Sequence, residues 1–278
     1  MILTSPHVAA ALEAAEAQHL RLQVETWRAL GAGQARVRAV GGGVAAFTER
    51  LFGRKLNHVT GLGLAGPVDE AAIAGLEADY AERGLGVEID LCPHADAGLL
   101  PLLARRGYAV NAFSHTYAHP LDDVPAGPAD AGGGVEILQG ADADALFVDA
   151  SIAGFSLQAQ PRPPELLAAL ARIARARADT RLFVARVDGE VAGSAGLSIM
   201  DTPLGRIGEL CIASTLPAWR SRGVQAALLR ARLAAAKAAR CDLAFVGARP
   251  ANTSARNAER AGFRLAFTKA TFARPPGG

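Results

Sequence analysis

The residues that bear most directly on chemistry lie in one stretch, Glu209-Leu-Cys-Ile-Ala-Ser-Thr-Leu-Pro-Ala-Trp-Arg-Ser-Arg-Gly-Val-Gln-Ala-Ala-Leu-Leu229. A strand ends there, a polar turn follows, and Arg220-Ser221-Arg222-Gly223 opens a long amphipathic helix. Amides in the first turn of a helix have no intrahelical partner and stand at the positive end of its dipole. A glycine at that point lets the backbone approach a phosphate closely. The spacing therefore predicts an anion site over 220–226. Glu209 is the only carboxylate between Asp201 and Asp242, in an otherwise apolar strand. Cys211 shares its face by strand alternation. A nucleophilic role for Cys211 would need an activating base, and no histidine follows His119, so a buried structural thiol is expected.

Three other patterns suggest different chemistry. Gly61-Leu-Gly-Leu-Ala-Gly66 matches the dinucleotide fingerprint, with a helix expected from about Asp69 and Asp90 ending a later strand. Pro67 directly after the third glycine, and a single complete βαβ unit, argue against a nicotinamide-dependent oxidoreductase there. His115 and His119 have zincin-like spacing, but on a strand their side chains lie about 13 Å apart, so no metal is expected. Asn57, His58 and Asn111 are polar residues beside strands of the first half. Satisfied structural polar groups are the expectation, and contacts to a substrate the alternative.

The elements that must position these residues follow from composition and periodicity. Half of the 278 residues are hydrophobic and a fifth are charged, which suits a globular chain of about two domains and excludes a disordered one. No apolar run approaches the roughly 18 residues of a membrane span. Met1-Ile2-Leu3-Thr4-Ser5-Pro6 lacks the pattern of a secretion signal. The three cysteines, Cys92, Cys211 and Cys241, are widely spaced and fit a reducing cytoplasm. Residues 1–130 hold 10 Lys and Arg against 15 Asp and Glu, and residues 131–278 hold 19 against 12. A modestly basic second half suits an anionic small molecule better than a nucleic acid.

A Pro/Gly/Asp-rich stretch after Pro120 reads as a linker, and its flanks look duplicated. Val87–Leu91, a helical segment, Gly107-Tyr108 and a strand to Tyr117 recur about 155 residues later. There the counterparts are Asp242–Val246, a helical segment, Gly262-Phe263 and a strand to Phe272. The second half reads as strand Val135–Gln139, helices Ala141–Ile152 and Glu165–Ala176, and a hairpin of Leu182–Val187 and Val191–Ile199 over Asp188-Gly189. Strand Arg206–Ala213, a helix from Gly223 to about Ala239, strand Leu243–Val246, helix Thr253–Ala261 and a last strand complete it.

With these elements in this order, the second half resembles the GNAT superfamily of acetyl-CoA-dependent N-acyltransferases over roughly residues 135–272. Their pyrophosphate loop reads Gln/Arg-x-x-Gly-x-Gly/Ala. Here Arg220-x-x-Gly223-x-Gln225 places a glutamine where the small residue belongs, which crowds the loop without removing its amides. Asn252-x-x-Ala255 followed by Gly262-Phe263 fits the family's downstream helix and strand. The resemblance implies a mixed α/β sheet in two tandem GNAT-like domains, a degenerate one over 1–122 and an acetyltransferase domain over 135–278, joined by a linker at 123–134. It implies acetyl-CoA as acyl donor, with Ala213, Ser214 and Thr215 along the pantetheine. Arg220, Ser221, Arg222, Gly223, Val224, Gln225 and Ala226 would surround the pyrophosphate, and Asn252, Ser254 and Asn257 would lie near the sulfur end. Glu209 stands where one branch of the family has its general base. The family's usual acid is a tyrosine four residues before the Gly-Phe glycine; here Ala258 stands there, leaving Ser254, Asn257 or a water for the thiolate. The Gly61–Gly66 loop would be the remnant of a second cofactor loop, with its half shaping the acceptor pocket. The expected reaction is acetyl transfer to a primary amine. A non-catalytic acyl-CoA-binding module is the alternative.

Overall fold

The computed structural model describes residues 5–31, 33–125, 134–157 and 162–276. Residues 126–133 of the expected linker lie outside the described residues. Eleven strands form one sheet: β1 (Arg36–Val40), β2 (Gly43–Phe47), β3 (Val59–Thr60), β4 (Val87–Leu91), β5 (Ala109–His119), β6 (Val135–Gln139), β7 (Thr180–Val187), β8 (Glu190–Thr202), β9 (Gly205–Thr215), β10 (Leu243–Ala248) and β11 (Arg264–Arg274). Seven α-helices accompany them: α1 (Pro6–Ala29), α2 (Glu70–Ala81), α3 (Leu99–Arg105), α4 (Ala141–Ser156), α5 (Pro164–Ala176), α6 (Val224–Ala238) and α7 (Thr253–Arg260).

The strand order is β1-β2-β3-β4-β11-β5-β10-β9-β8-β7-β6. The halves repeat as the spacing predicts. In each, a parallel pair (β3 with β4, β9 with β10) leads through a helix and a left-handed glycine, Gly107 or Gly262, into an eleven-residue strand. What spacing does not reveal is where those last strands go. They are exchanged: β5 lies antiparallel beside β10 of the second half, and β11 lies antiparallel beside β4 of the first. The two exchanged strands pair with each other in the middle of the sheet. Each half therefore lacks a complete sheet without the other, because a strand leaves its backbone donors and acceptors unmatched unless a neighbour supplies partners.

The sheet bends around α1. That helix touches β1, β2 and β3 on one side and β8, β9 and α5 on the other, although β2 and β8 are far apart in strand order. Ser5 caps it, accepting from the Val8 amide, and Pro6 begins it, an arrangement suited to the open N-terminal amides. Leu12 and Ala15 pack on Phe245, Ala118 and Ile207, while Leu20 and Val24 pack on Val44 and Ala46. The other sheet face is covered beside β7–β10 by α6 and α7, through Val224, Leu228, Ala255 and Ala258. The long helix expected from Gly223 thus forms with its apolar face inward. Among the described residues, no helix is long and apolar enough to cross a membrane.

Candidate active site

The site begins where β9 and β10 part. They pair in parallel from Leu243 opposite Ile207 to Phe245 opposite Glu209, and no further. The cause is local. Gly196 opposes Cys211 and Ser194 opposes Ser214, so β9 carries one residue more than β8 across this step, and Ile212 takes a φ of 43°. Such a bulge bends a strand and sharpens its twist. Beyond Glu209, β9 is held on one side only, by β8, and its other edge faces the gap toward β10. Of the residues expected to meet the pantetheine, Ala213, Ser214 and Thr215 all lie on this stretch. The Ser214 side chain is turned away, buried beside Ser194 and against Gly154 of α4, so only its backbone is offered to the gap.

After β9 the chain makes a short turn at Pro217–Trp219 and enters α6 through two left-handed residues, Ser221 (φ 61°) and Gly223 (φ 79°). The turn is braced by the Leu216 amide on Ala192 and by the Arg222 guanidinium 5.0 Å from the Trp219 ring centre. A Cβ at Gly223 would meet nothing within 4 Å. The residue is therefore required for its conformation, while the space before it is open. No side chain caps α6, so its first amides are free for an anion. Arg220, Ser221, Arg222 and Ala226 are exposed around them, Gln225 is half-buried, and the Val224 side chain is in the core, leaving only its backbone for a ligand. Across the gap, Asn252 caps α7, accepting from the Ala255 amide at 2.8 Å. Ser254 is exposed on the first turn, Asn257 is half-buried, and Ala258 packs in the core.

Glu209 stands at the vertex of the gap, on the α1 face. His19 of α1 places Nδ1 3.1 Å from its Oε2. That nitrogen also faces Arg177, whose Nη1 donates to it at 3.2 Å, and Arg177 is held in turn by both carboxylate oxygens of Asp179. A ring nitrogen that accepts from a guanidinium carries no proton for a carboxylate, and burial with Arg177 alongside pushes the His19 pKa well below its ordinary value. Glu209 Oε2 is left buried without a hydrogen bond. Burial, with the Glu16 carboxylate adding to it, pushes the Glu209 carboxyl up to about 8 despite Arg177 and Lys269. A carboxyl in that range is suited to taking a proton from an ammonium nucleophile. The Cys211 thiol is pushed up to about 11 by burial and lies 3.7 Å from the Ser198 hydroxyl. It is the structural thiol expected, since a nucleophile needs its pKa lowered.

Behind Glu209 runs a row of buried charges that sequence reading missed. Lys269 of β11 pairs with Glu13 at 3.0 Å and Glu16 at 2.5 Å, both on α1. Among the described residues, Glu16, His58 and Asp90 form a set whose ligand atoms lie within 4.8 Å of one another. Their charges are already met by Lys269 and by Arg54, which binds Asp90 beside the Thr271 hydroxyl. Although burial alone would raise Asp90, His58, Lys269 and Arg54 hold it down at about 2. Glu13, Glu16 and His19 recur every three residues along α1, and that spacing was the available signal.

The first-half patterns take structural roles. Gly63 of the Gly61–Gly66 loop accepts from the Asp96 amide at 2.9 Å and donates to the Gly41 carbonyl at 2.8 Å. A Cβ at Gly63 would sit 2.4 Å from Leu99. The gap between β3 and β4 is thus tied shut by the chain itself. Asp69 caps α2 through the Ala72 amide, with Glu70 next in line, so that helix end is already negative. This removes the physical basis for a dinucleotide phosphate there. Asn57 braces a turn with bonds to Thr48, Glu49 and Gly53, and Asn111 donates to Glu88. His115 and His119 bond separately, to Thr268 and to the Leu121 amide.

Residues 148–263 match the model of the acetyltransferase (GNAT) family. No curated protein matches the chain in sequence. Among solved structures, a GCN5-related N-acetyltransferase from Kribbella flavida aligns with a TM-score of 0.61 at 21% identity, covering 97% of this chain and 96% of that one. A tandem GNAT protein from the clavulanic acid biosynthesis pathway aligns at 0.59 and 14% identity, covering 95% and 96%. A functionally unknown conserved protein from Staphylococcus epidermidis aligns at 0.58 and 10% identity, covering 90% and 97%. Residues 148–263 thus match the GNAT family's model, and the chain as a whole shares its fold with these structures, a tandem GNAT protein among them.

Proposed function

We propose that the second half binds acetyl-CoA and transfers its acetyl group to a primary amine by direct attack on the thioester. The observation that carries this reading is the gap between β9 and β10, with the bulge at Ile212 on one edge, an uncapped helix end at its mouth and Glu209 at its vertex. In this reading the pantetheine lies along the backbone of Ala213, Ser214 and Thr215, and the pyrophosphate rests on the amides of 220–226. Asn252 and Asn257 approach from α7. Glu209 takes the ammonium proton, which raises the nitrogen lone pair for attack on the thioester carbon. The tetrahedral intermediate collapses with loss of the thiolate, and the second proton of the attacking nitrogen passes to that sulfur through a water or the Ser254 hydroxyl, which gains one proton as it gives one. The chain divides into a degenerate half at 1–122, a linker at 123–134 and the acetyltransferase half at 135–278, and it works in the cytoplasm on a small-molecule or other amine acceptor without nucleic acid.

Ala258 in the position of the family's tyrosine supports a second reading, a module that binds acyl-CoA without turning it over. Calorimetric titration with acetyl-CoA, alongside NADPH and the variant Gly223→Glu, tests the cofactor. Binding to the wild type that is lost in the variant is the expected result, since the glutamate strains a left-handed position and sets a negative charge on the phosphate site. NADPH binding in place of acetyl-CoA would refute the reading. Acetyl-CoA binding with no transfer across a panel of amines would favour the second one.

A further inference from the structure

Cations from three distant parts of the chain gather near the start of α5. Phe52 and Leu56 of the Arg50–Lys55 turn pack on Leu166, Ala169 and Ile173 of α5, which brings Lys55 beside the start of that helix, where Arg162 stands. Arg249 follows the end of β10. Phe245 of β10 pairs with Glu209 and packs toward α1. By strand alternation Gly247 and Arg249 point the same way, and Arg249 lies about 13 Å along the strand from the Glu209 row. Gly247 is exposed, and a Cβ there would meet nothing within 4 Å. This face of β10 therefore carries no side chain between Phe245 and Arg249.

The cations at its far end have no anion. Among the described residues, no carboxylate lies within ion-pair distance of Lys55, Arg162 or Arg249; Arg54, the neighbour that is paired, serves Asp90 and Glu88. Lys55 is exposed in part, and desolvation of its ammonium, with Arg162, Arg54 and Arg249, pushes it down to about 8; Asp90 pulls the other way. Burial and Arg249 likewise lower Arg162. Like charges gathered without a counterion raise one another's cost, and a bound anion relieves it. The opposite end carries Glu209, whose Oε2 has no hydrogen bond and suits an ammonium.

We propose that the acceptor is an amine that also bears an anionic group, a carboxylate or a phosphate, which Lys55, Arg162 and Arg249 hold while the amine meets Glu209. This rests on the acetyltransfer reading above. It gives the first half a direct part in substrate choice, since Lys55 comes from there. Unlike the amides of 220–226, these cations serve the acceptor and not the phosphates of the cofactor.

The test uses the full chain loaded with acetyl-CoA. Inorganic phosphate is titrated calorimetrically into the wild type, Lys55→Met and Arg162→Met, and acetyl transfer is followed for ω-amino carboxylates of increasing length beside their methyl esters. The expected result is phosphate binding weakened at least tenfold in each variant with acetyl-CoA affinity unchanged. The acids should exceed their esters at least tenfold in kcat/KM, with that preference lost in the variants. Absence of phosphate binding, its persistence in both variants, or equal use of acids and esters would overturn the proposal while leaving acetyl transfer standing. Loss of acetyl-CoA affinity in the variants would assign the cations to the cofactor and overturn it as well. Failure of the wild type to bind acetyl-CoA would instead strike the reading on which it rests.

Discussion

Replacing Glu209 by glutamine separates the two roles that burial has given this carboxyl. The side chain keeps its shape and loses its titration. Its carboxyl is raised from an ordinary 4.5 to about 8 in the fold, so the folded state holds a proton that the unfolded chain releases between those values. By linkage, stability falls as pH rises through this window and levels off above about 8. Between pH 6 and pH 9 the carboxylate therefore costs the wild type about two pH units of further stability, or roughly 2 to 3 kcal/mol. Glu209→Gln carries no such cost. Its advantage in melting temperature over the wild type should widen by about 5 °C between pH 6 and pH 9, at roughly 2 °C per kcal/mol for a chain of this size. Turnover should move the other way, falling by a factor of about 100 to 10,000 with loss of the base while acetyl-CoA affinity is kept. In the wild type, kcat/KM should rise about tenfold from pH 7 to pH 9, following the ionised fraction of a group with pKa about 8. The acceptor for this profile should be a strongly basic primary alkylamine, protonated throughout pH 7 to 9, so that Glu209 has an ammonium proton to take and the acceptor's own titration does not contribute. Differential scanning calorimetry across pH and a thiol-release assay supply both readouts. A melting difference that stays constant with pH would show that Glu209 titrates normally. Undiminished turnover in the variant would remove it from the mechanism.

Two further outcomes follow from the packing. A fragment of residues 135–278 leaves β10 without β5 and β11 without both of its neighbours, so it should remain unfolded or aggregate, as judged by circular dichroism and sedimentation. A soluble, cooperative fragment would contradict the exchange of strands. Cys211→Ala should retain turnover within about threefold, because the thiol is half-buried beside Ser198 and its pKa is raised to about 11. An acetylated enzyme seen by mass spectrometry in the wild type alone would reverse that assignment.

The second half was legible because its signals are local. The Asp188-Gly189 turn, the glycine opening α6 and the helical spacing of Val224, Leu228 and Leu233 each act within a few residues, and the elements form where they predict. The repeat was legible for the same reason. Helix α1 was not anticipated. It is buried on both sides by a bent sheet, so Ala9, Leu12, Ala15, Leu20 and Val24 share the inside with Glu13 and His19. No clean polar face marks it out. The partners of Glu209 escaped notice because His19, Glu16 and Arg177 meet it only through tertiary packing, and no local rule joins residue 19 to residue 209. The exchange of β5 and β11 is invisible for a related reason: an alternating strand advertises a face, not the neighbour it will pair with. Asn252 was expected at the cofactor, and its side-chain oxygen is engaged in capping α7, a role that Asn-x-x-Ala at a helix start already permits.

The exchanged strands change what it means for the first half to be degenerate. Its own gap is sewn shut by Gly63 and Asp96, and nothing in it requires a cofactor loop to survive. Yet β5 and α1 belong to it, and without them β10 lacks a neighbour and β8 and β9 lose the helix packed on them. Such a segment is frozen wherever it lends a strand. In its strand pairing the chain resembles a dimer whose partners have been fused. Severing the peptide between residues 126 and 133 should accordingly yield two pieces that co-purify, bound to each other by main-chain ladders that neither can satisfy alone.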